Sequence, residues 1–178
     1  MIKNSDFPEG HTEFIKYVNF VNKTYRHKGS VGKLAVTPRL VAKIASVDDK
    51  ILDFGAGTQA MHANMLRAMG YKVDAYEIGF NWRHGVHLYK PETKTYKWVY
   101  LSNVLNVQPS PEKLEMVVRR AAGFLSEDGV MVANYPKSPR HCGLDGKKLH
   151  EALRNSFTNI TATLVRGTPI YYCRNVMK

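Results

Sequence analysis

Short apolar runs alternate with amphipathic stretches along most of the 178 residues of the chain. The apolar runs predict strands over residues 50–54, 72–78, 97–101, 130–134, 160–166 and 169–175. The amphipathic stretches predict helices over residues 11–22, 39–45, 59–69, 110–124 and 147–155. Strands that alternate with helices form parallel sheets. We therefore expect an α/β fold with a mostly parallel sheet and a closing antiparallel hairpin. Residues 79–96 show no clear period apart from a short segment at 87–89, for which a strand is predicted.

Local signals refine these boundaries. Thr37 followed by Pro38 predicts an N-cap and the first turn of the second helix. Residues 127–129, Glu-Asp-Gly, predict a turn before the strand that follows. Because the chain has no linker and no internal repeat, we expect one domain, in which residues 1–48 form a helical N-terminal cap on a core of residues 49–178.

The end of the first strand carries the clearest chemical signal. Residues 51–58 read Ile-Leu-Asp-Phe-Gly-Ala-Gly-Thr, so Asp53 is followed by Gly55 and Gly57 where the strand ends. Glycine lets the chain turn sharply and lets a ligand lie against bare backbone beside a helix N-terminus. Glu77 follows Gly57 by 20 residues and ends the second strand. A carboxylate there can accept hydrogen bonds from both hydroxyls of a ribose, so the pattern predicts a nucleotide-type cofactor.

The charge of the chain is strongly positive and unevenly distributed. The formal net charge is +11, and the excess of Lys and Arg lies in residues 1–50 and 134–178. Two basic clusters, interleaved with Gly, Ser and His, are typical of loops that contact phosphates. They consist of Lys23, Arg26, Lys28 and Lys33, and of Lys137, Arg140, Lys147 and Lys148. They favour nucleic acid or another polyanion as a partner, although a basic surface that contacts nothing fits the same pattern.

The remaining composition bears on the cellular setting. Two cysteines, Cys142 and Cys173, indicate no disulfide framework, which fits a reducing cytoplasm. The sequence shows no signal peptide and no apolar run of membrane-spanning length, so we expect a cytoplasmic protein without membrane contact. His141 adjoins Cys142, but no second pair of cysteines accompanies them, so no metal site is expected.

The order of elements and motifs over residues 34–178 resembles that of the class I S-adenosylmethionine-dependent methyltransferases. Residues 51–58 are similar to the glycine loop of that family, Glu77 to its ribose-binding acid, and residues 100–107 to its motif after strand four. The resemblance implies a Rossmann-like three-layer sandwich with a seven-stranded sheet, an antiparallel last strand and a short N-terminal helical extension. It also implies S-adenosylmethionine as the cofactor. The residues that it assigns to cofactor binding are Asp53, Gly55, Ala56, Gly57, Thr58, Glu77, Ile78 and Asn103.

Two departures from the family pattern stand out. The segment between Glu77 and Trp98 is short for a helix plus strand three, so the residue that contacts the adenine is not assigned. After strand four, residues 103–106 read Asn-Val-Leu-Asn, where amino-methylating DNA enzymes have an Asp or Asn, two prolines and an aromatic residue. Methylation of adenine N6 by that arrangement is therefore not expected.

A dinucleotide-binding enzyme is the main rival interpretation of the glycine loop. Residues 55–60 satisfy the dinucleotide fingerprint with Ala in the third position. Against it, a long helical segment precedes the first strand, no length is left for a substrate domain, and an Asp at position 53 is usual for S-adenosylmethionine. A sheet without a ligand is a third interpretation.

Asn103 and Tyr135 are the candidate catalytic residues, because both follow strands at the edge where doubly wound sheets bind ligands. Asn103 can contact the amino acid part of the cofactor or orient the acceptor, and Tyr135 can stack on a base or line the acceptor pocket. A hydrogen-bonded turn and a packed aromatic are the structural alternatives. The resulting hypothesis is a methyltransferase that acts on DNA or RNA through its basic loops. A small-molecule methyltransferase and a catalytically inactive binding or inhibitory protein of the same fold are the alternatives.

Overall fold

The computed structural model describes residues 11–25, 33–136 and 144–177. Within these ranges the helices are α1 (His11–Tyr25), α2 (Val36–Ile44), α3 (Met61–Ala68), α4 (Pro111–Ala122) and α5 (Gly146–Arg154). The strands are β1 (Lys50–Phe54), β2 (Lys72–Tyr76), β3 (Tyr96–Leu101), β4 (Leu125–Asn134), β5 (Phe157–Val165) and β6 (Thr168–Val176).

The strands form one sheet in the order β2-β1-β3-β4-β6-β5. β1 pairs in parallel with β2 and β3, and β3 pairs in parallel with β4. β6 lies between β4 and β5 and runs antiparallel to both. The expected α/β fold, with a mostly parallel sheet and an antiparallel last strand, is confirmed. The carboxyl ends of β1 to β4 meet at one side of the sheet, here called the carboxyl edge.

The strand that the family resemblance predicts beyond β2 is reduced to a single bridge. Tyr76 pairs in parallel with Leu88 alone, and the Leu88 N–H donates to the carbonyl oxygen of Ala75 at 2.9 Å. The sheet of the described residues therefore has six strands rather than seven. The physical reason is the shortness of the segment between β2 and β3, which holds only a 3-10 turn at Gly79–Asn81 and this bridge.

Helices cover both faces of the sheet, which gives a three-layer sandwich. On one face, Leu114 and Val118 of α4 and Leu149 of α5 are fully buried with the side chains of the strands. On the other face, α2 and α3 contribute the buried Val41 and Leu66. No helix in the described part of the chain is long and apolar enough to cross a bilayer.

The predicted N-cap of α2 is wrong. The helix begins at Val36 with Ala35 as its cap residue, so Thr37 lies inside the first turn. The Thr37 hydroxyl donates instead to Oδ1 of Asn134, at 3.3 Å, and thereby joins α2 to the end of β4. A tertiary contact has thus replaced the local one. The division of the domain at residue 48 stays a prediction.

The turn predicted at residues 127–129 lies inside a strand, because β4 begins at Leu125. Between the pairs Tyr96–Leu125 and Trp98–Val130 the register shifts, so that residues 126–129 face Lys97 alone. A β-carbon on Gly129 would lie 2.9 Å from the carbonyl oxygens of Ser126 and Tyr96. The glycine therefore allows β4 to bend back on itself and to lie close to β3 at this point.

Candidate cofactor site and active site

The glycine loop after β1 lies at the centre of the carboxyl edge. Gly55 and Gly57 have positive φ angles of 80° and 68°, a conformation that favours glycine. The N–H groups of Gly55 and Ala56 donate to the carbonyl oxygen of Tyr76 at 2.9 and 3.1 Å, which ties the loop to the end of β2. A β-carbon on Gly55 would lie 2.6 Å from Cγ2 of Val104. The loop therefore passes close to the end of β3 and presents bare backbone.

Glu77 lies directly behind this loop and is 7% exposed. Its Oε2 accepts the N–H of Gly57 at 2.8 Å, and its Oε1 accepts the N–H of Ile78 at 3.0 Å. Burial raises the pKa of Glu77, and these two N–H groups offset part of the rise. Each carboxylate oxygen can accept a second hydrogen bond, so the group fits the role of ribose acceptor that the sequence predicts for it.

Asp53 is an unusual group at this edge because it is 2% exposed and its Oδ2 has no hydrogen-bond partner among the described residues. Burial raises the pKa of Asp53 to about 7; the neighbouring Tyr100 hydroxyl lowers it, and the Glu77 carboxylate raises it further. The Tyr100 hydroxyl is close enough to act electrostatically but makes no hydrogen bond of normal geometry within the described part of the chain. A hydrogen bond from the backbone of Ala63 also lowers the pKa of Asp53. A buried carboxylate oxygen without a partner is costly, so Oδ2 fits a cationic or hydrogen-bond-donating ligand.

A second polar network joins the ends of β3 and β4. The backbone N–H of Asn103 donates to Oδ1 of Asn134 at 2.8 Å, and this contact fixes which way the Asn134 amide faces. Nδ2 of Asn134 therefore donates to Oδ1 of Asn103, at 2.7 Å. Asn103 is exposed and has a positive φ of 59°. Because its oxygen is engaged, the Asn103 side chain offers its NH2 group, a donor, to whatever binds at this edge.

Tyr135 lies one residue beyond β4 but inside the protein, where it is 2% exposed. Its hydroxyl donates to the carbonyl oxygen of Leu144 at 2.7 Å, and its N–H donates to the carbonyl oxygen of Pro169 at 3.1 Å. Of the two predicted catalytic side chains, Asn103 is thus at the surface of the carboxyl edge and Tyr135 is beneath it. A catalytic role for Tyr135 stays a prediction.

Three residues outside the predicted site also support it. His87 contacts the Gly57 carbonyl oxygen through Nε2 at 2.8 Å, and Asn81 accepts the Thr58 hydroxyl at 3.2 Å. Asn134 holds Asn103 as described above. A polar residue directly after a strand is a usable sequence signal for Asn134. Asn81 carries no such signal. His87 begins the short strand predicted at residues 87–89, but that prediction does not place it beside the glycine loop.

Half of the two basic clusters belongs to the described part of the chain. Lys23, Lys33, Lys147 and Lys148 are all exposed. Arg26, Lys28, Lys137 and Arg140 lie outside the described residues, as do His141 and Cys142.

Comparison with known proteins identifies the family. A family model described as a methyltransferase domain matches residues 25–174. No curated protein sequence matches the chain. An S-adenosylmethionine-dependent methyltransferase from Methanosarcina mazei has a similar structure, with 11% identity and a TM-score of 0.61 over 81% of this chain and 100% of that one.

Two further structures of the same fold were solved with cofactor-type ligands. A 1,6-didemethyltoxoflavin N1-methyltransferase from Burkholderia thailandensis, with S-adenosylhomocysteine bound, is 14% identical, with a TM-score of 0.57 over 96% of this chain and 92% of that one. A 16S rRNA N2 G1207 methyltransferase from T. thermophilus, in complex with AdoMet and guanosine, is 13% identical, with a TM-score of 0.58 over 84% of this chain and 41% of that one.

The residues at the carboxyl edge fit S-adenosylmethionine. The glycine loop has no room for a side chain at Gly55, Glu77 offers buried acceptor oxygens at the end of β2, and Asp53 has a buried oxygen without a partner in the described part of the chain. Because the family model also spans most of the sequence, the chain belongs to the methyltransferase-domain family and is a class I S-adenosylmethionine-dependent methyltransferase.

Proposed function

We propose that this methyltransferase modifies nucleic acid, DNA or RNA, and holds the phosphates of its substrate beside the end of β4. One observation carries the proposal. The exposed Lys33 and the exposed pair Lys147 and Lys148 are far apart in the sequence, yet each lies within four residues of a hydrogen bond to Asn134 or Tyr135, two consecutive residues at the end of β4.

Lys33, from the first basic cluster, lies just before α2, which is anchored to the end of β4. The Thr37 hydroxyl of α2 donates to Oδ1 of Asn134, and the exposed Lys33 precedes Thr37 by four residues. The anchor is buried, since Thr37 is almost fully shielded from solvent. Lys33 therefore lies four residues along the chain from a contact with the network that contains Asn103.

Lys147 and Lys148, from the second basic cluster, lie in α5, and the residue Leu144 just before this helix is hydrogen-bonded to Tyr135. The Tyr135 hydroxyl donates to the carbonyl oxygen of Leu144, just before the helix. Lys147 and Lys148 follow in the first turn of α5 and are exposed. The exposed Arg166, in the turn between β5 and β6, adds a charge at the same side of the sheet, because β5 runs in the same direction as β4.

Acidic groups also lie near Lys148: the carboxylates of Glu151, Asp145 and Glu112 all raise the pKa of this lysine. Lys148 pairs with Glu151 at 3.0 Å, but both side chains are about half exposed. Exposed ion pairs contribute little and exchange readily with other partners. With a net charge of +11 on the chain, phosphate contacts that release counterions are favourable at this surface.

Asn103 is the residue that we assign to orient the acceptor. The cofactor supplies a methyl group on a positively charged sulfur, which is already electrophilic, so the protein has mainly to align the acceptor and exclude water. The Asn103 NH2 group donates to a lone pair and cannot remove a proton at neutral pH. This suits a nitrogen acceptor that loses its proton after the transfer. Asp53, Glu77 and the loop Gly55–Thr58 would hold the cofactor beside it, and Tyr135 would act through the position of α5.

The proposal is tested by measuring transfer of a labelled methyl group to RNA, to single-stranded DNA, to duplex DNA and to a metabolite extract. The informative variant reverses two charges at the carboxyl edge, Lys33→Glu with Lys147→Glu. Its matched control makes the same change in charge at the amino ends of the strands, Lys43→Glu with Lys94→Glu. Both control lysines are exposed, one near the end of α2 and one just before β3.

We expect the edge variant to bind nucleic acid about tenfold more weakly or worse. The negative slope of log K against log salt should become less steep by about 2. The control should keep affinity close to the wild-type value. Equal losses of affinity in both variants would mean that only the net charge of the protein matters, and would contradict a phosphate-binding surface at the carboxyl edge. Transfer to the metabolite extract alone would refute the nucleic-acid proposal.

A small-molecule acceptor is the second candidate, and the proportions of the structural neighbours favour it. The match covers 92% of the didemethyltoxoflavin methyltransferase but only 41% of the rRNA methyltransferase. The chain therefore corresponds to nearly the whole of the small-molecule enzyme and to less than half of the rRNA enzyme. The same labelled-methyl assay separates the two candidates.

A further inference from the structure

We infer that His87 is a positioning residue for cofactor binding, because its ring holds the carbonyl group of Gly57 and so fixes the glycine loop. The ring is 7% exposed. Nε2 lies 2.8 Å from the carbonyl oxygen of Gly57, and Nδ1 accepts the backbone N–H of Arg83 at 3.0 Å. Both ring nitrogens are therefore engaged, one with the loop and one with the segment that carries the histidine.

The direction of these hydrogen bonds follows from their partners. A backbone N–H can only donate, so Nδ1 of His87 carries no proton and the neutral ring carries its proton on Nε2. Nε2 then donates to the carbonyl oxygen of Gly57. Burial lowers the pKa of His87; the backbone contacts with Gly57 and Arg83 offset part of this, and the charges of Arg83 and Arg67 lower the pKa further. The ring is therefore neutral at pH 7, in the form that this arrangement needs.

The peptide groups around Gly57 are held from two sides. The Gly57 N–H donates to Oε2 of Glu77 at 2.8 Å, and the Gly57 carbonyl oxygen accepts from His87. A loop that is loosened on the His87 side would also loosen its contact with the Glu77 carboxylate. His87 thus affects two features of the cofactor site without belonging to it.

The short segment after β2 holds the ring in place. The Leu88 N–H donates to Ala75, the Trp82 indole donates to the Leu88 carbonyl oxygen at 3.3 Å, and the Arg83 side chain donates to two carbonyl oxygens of its own turn. This segment stands where a helix and a third strand were expected. In this chain it supports the glycine loop from the side.

Two substitutions separate the contacts of the two ring nitrogens. In His87→Asn the amide lies near the position of Nδ1, so the acceptor for Arg83 remains but the contact with Gly57 is lost. In His87→Gln the amide reaches the position of Nε2, so a donor for Gly57 remains. We expect calorimetry to show that His87→Asn raises the Kd for S-adenosylmethionine about tenfold and that His87→Gln raises it less than about threefold. Amide hydrogen exchange over residues 55–60 of the ligand-free protein should be faster in His87→Asn only.

Tyr96→Phe is the matched control, because it also removes a hydrogen bond of a buried side chain, but at the amino end of β3, away from the carboxyl edge. The Tyr96 hydroxyl donates to Oδ2 of Asp74 at 2.9 Å. The control should lower the Tm and leave the Kd unchanged. The inference fails if His87→Asn binds as the wild type does, or if Tyr96→Phe weakens binding equally. Should His87→Asn not fold, His87→Gln decides: near-normal binding with a protected loop supports the inference, and a tenfold loss at normal Tm overturns it.

Discussion

Replacing Asp53 by asparagine is expected to stabilise the ligand-free protein at neutral and alkaline pH and to weaken its binding of S-adenosylmethionine. The carboxyl group is buried, and its Oδ2 lacks a partner among the described residues. Burial is the largest cause of the rise in the pKa of Asp53 from 3.8 to about 7. Asparagine has nearly the same shape and carries no charge, so it removes the cost of burying the ionised form and keeps the packing.

The magnitude follows from that rise in pKa. Because the folded-state pKa lies above the unfolded value, the stability that the bound proton provides is complete below pH 3.8 and is lost as the pH rises through about 7. One pH unit corresponds to about 1.4 kcal/mol, so the whole rise corresponds to about 4 kcal/mol, the upper limit of the gain above pH 7. For a chain of this length the limit translates into a Tm higher by roughly 10 °C at pH 8. At pH 5 the gain should be much smaller.

Urea unfolding of the two proteins at pH 5, 6.5 and 8 tests this, with the difference in unfolding free energy as the readout. Glu77 and His87 are present in both proteins, so their contributions largely cancel. Asp74→Asn is the control: that carboxylate is only half-buried and accepts the Tyr96 hydroxyl, so its replacement should give no gain at any pH. A gain that does not depend on pH would refute the reasoning. If Asp53→Asn binds S-adenosylmethionine with unchanged affinity, Asp53 does not contribute to cofactor binding.

Three further predictions concern the same edge. Glu77→Gln should lower the affinity for S-adenosylmethionine about tenfold to a hundredfold, because hydrogen bonds to a charged acceptor are stronger than those to a neutral one; calorimetry measures it, and equal affinity would exclude a ribose contact. Gly55→Ala should lower the unfolding free energy by about 2 kcal/mol through the positive φ and the contact with Val104. Adding Val104→Ala should restore part of that loss, and no restoration would exclude the clash. Cofactor binding at pH 6 should release protons from Asp53, seen as a binding enthalpy that depends on the ionisation enthalpy of the buffer; in Asp53→Asn this dependence should shrink.

The core of the sheet and its glycine loop are predictable from the sequence because several local signals agree there. The predicted strand at residues 50–54 coincides with β1, Lys50–Phe54. A buried apolar run is followed by two glycines with positive φ, and glycine is the residue that adopts this conformation most readily, so a sharp turn after the strand is predictable. The antiparallel pair β5 and β6 is also predictable, because two strand-forming stretches are separated only by a short turn around Gly167.

The partners of side chains at the carboxyl edge are not predictable in this way, since they depend on residues far along the chain. Thr37 has the sequence signature of an N-cap, but its hydroxyl finds Asn134 across the fold. Tyr135 follows a strand like a ligand-binding residue, but its hydroxyl reaches Leu144. The role that we infer for His87 depends on its contact with Gly57, which no sequence pattern indicates, although the bridge between Tyr76 and Leu88 lies in the segment 87–89.

The distribution of charge explains how one edge can serve two ligands of opposite sign. Asp53 and Glu77 are buried under the glycine loop, and burial raises the pKa of both, so the ligand-free protein disfavours two negative charges at this point. A ligand with a positively charged sulfur favours the ionised forms and thereby recovers stability that the free protein lacks. In the ligand-free protein the raised pKa values favour the neutral carboxyl groups, which do not repel phosphates, whereas Lys33 and Lys147 are exposed. The buried acids thus suit a cationic cofactor inside the carboxyl edge, and the exposed lysines suit the polyanionic substrate that we propose at its surface.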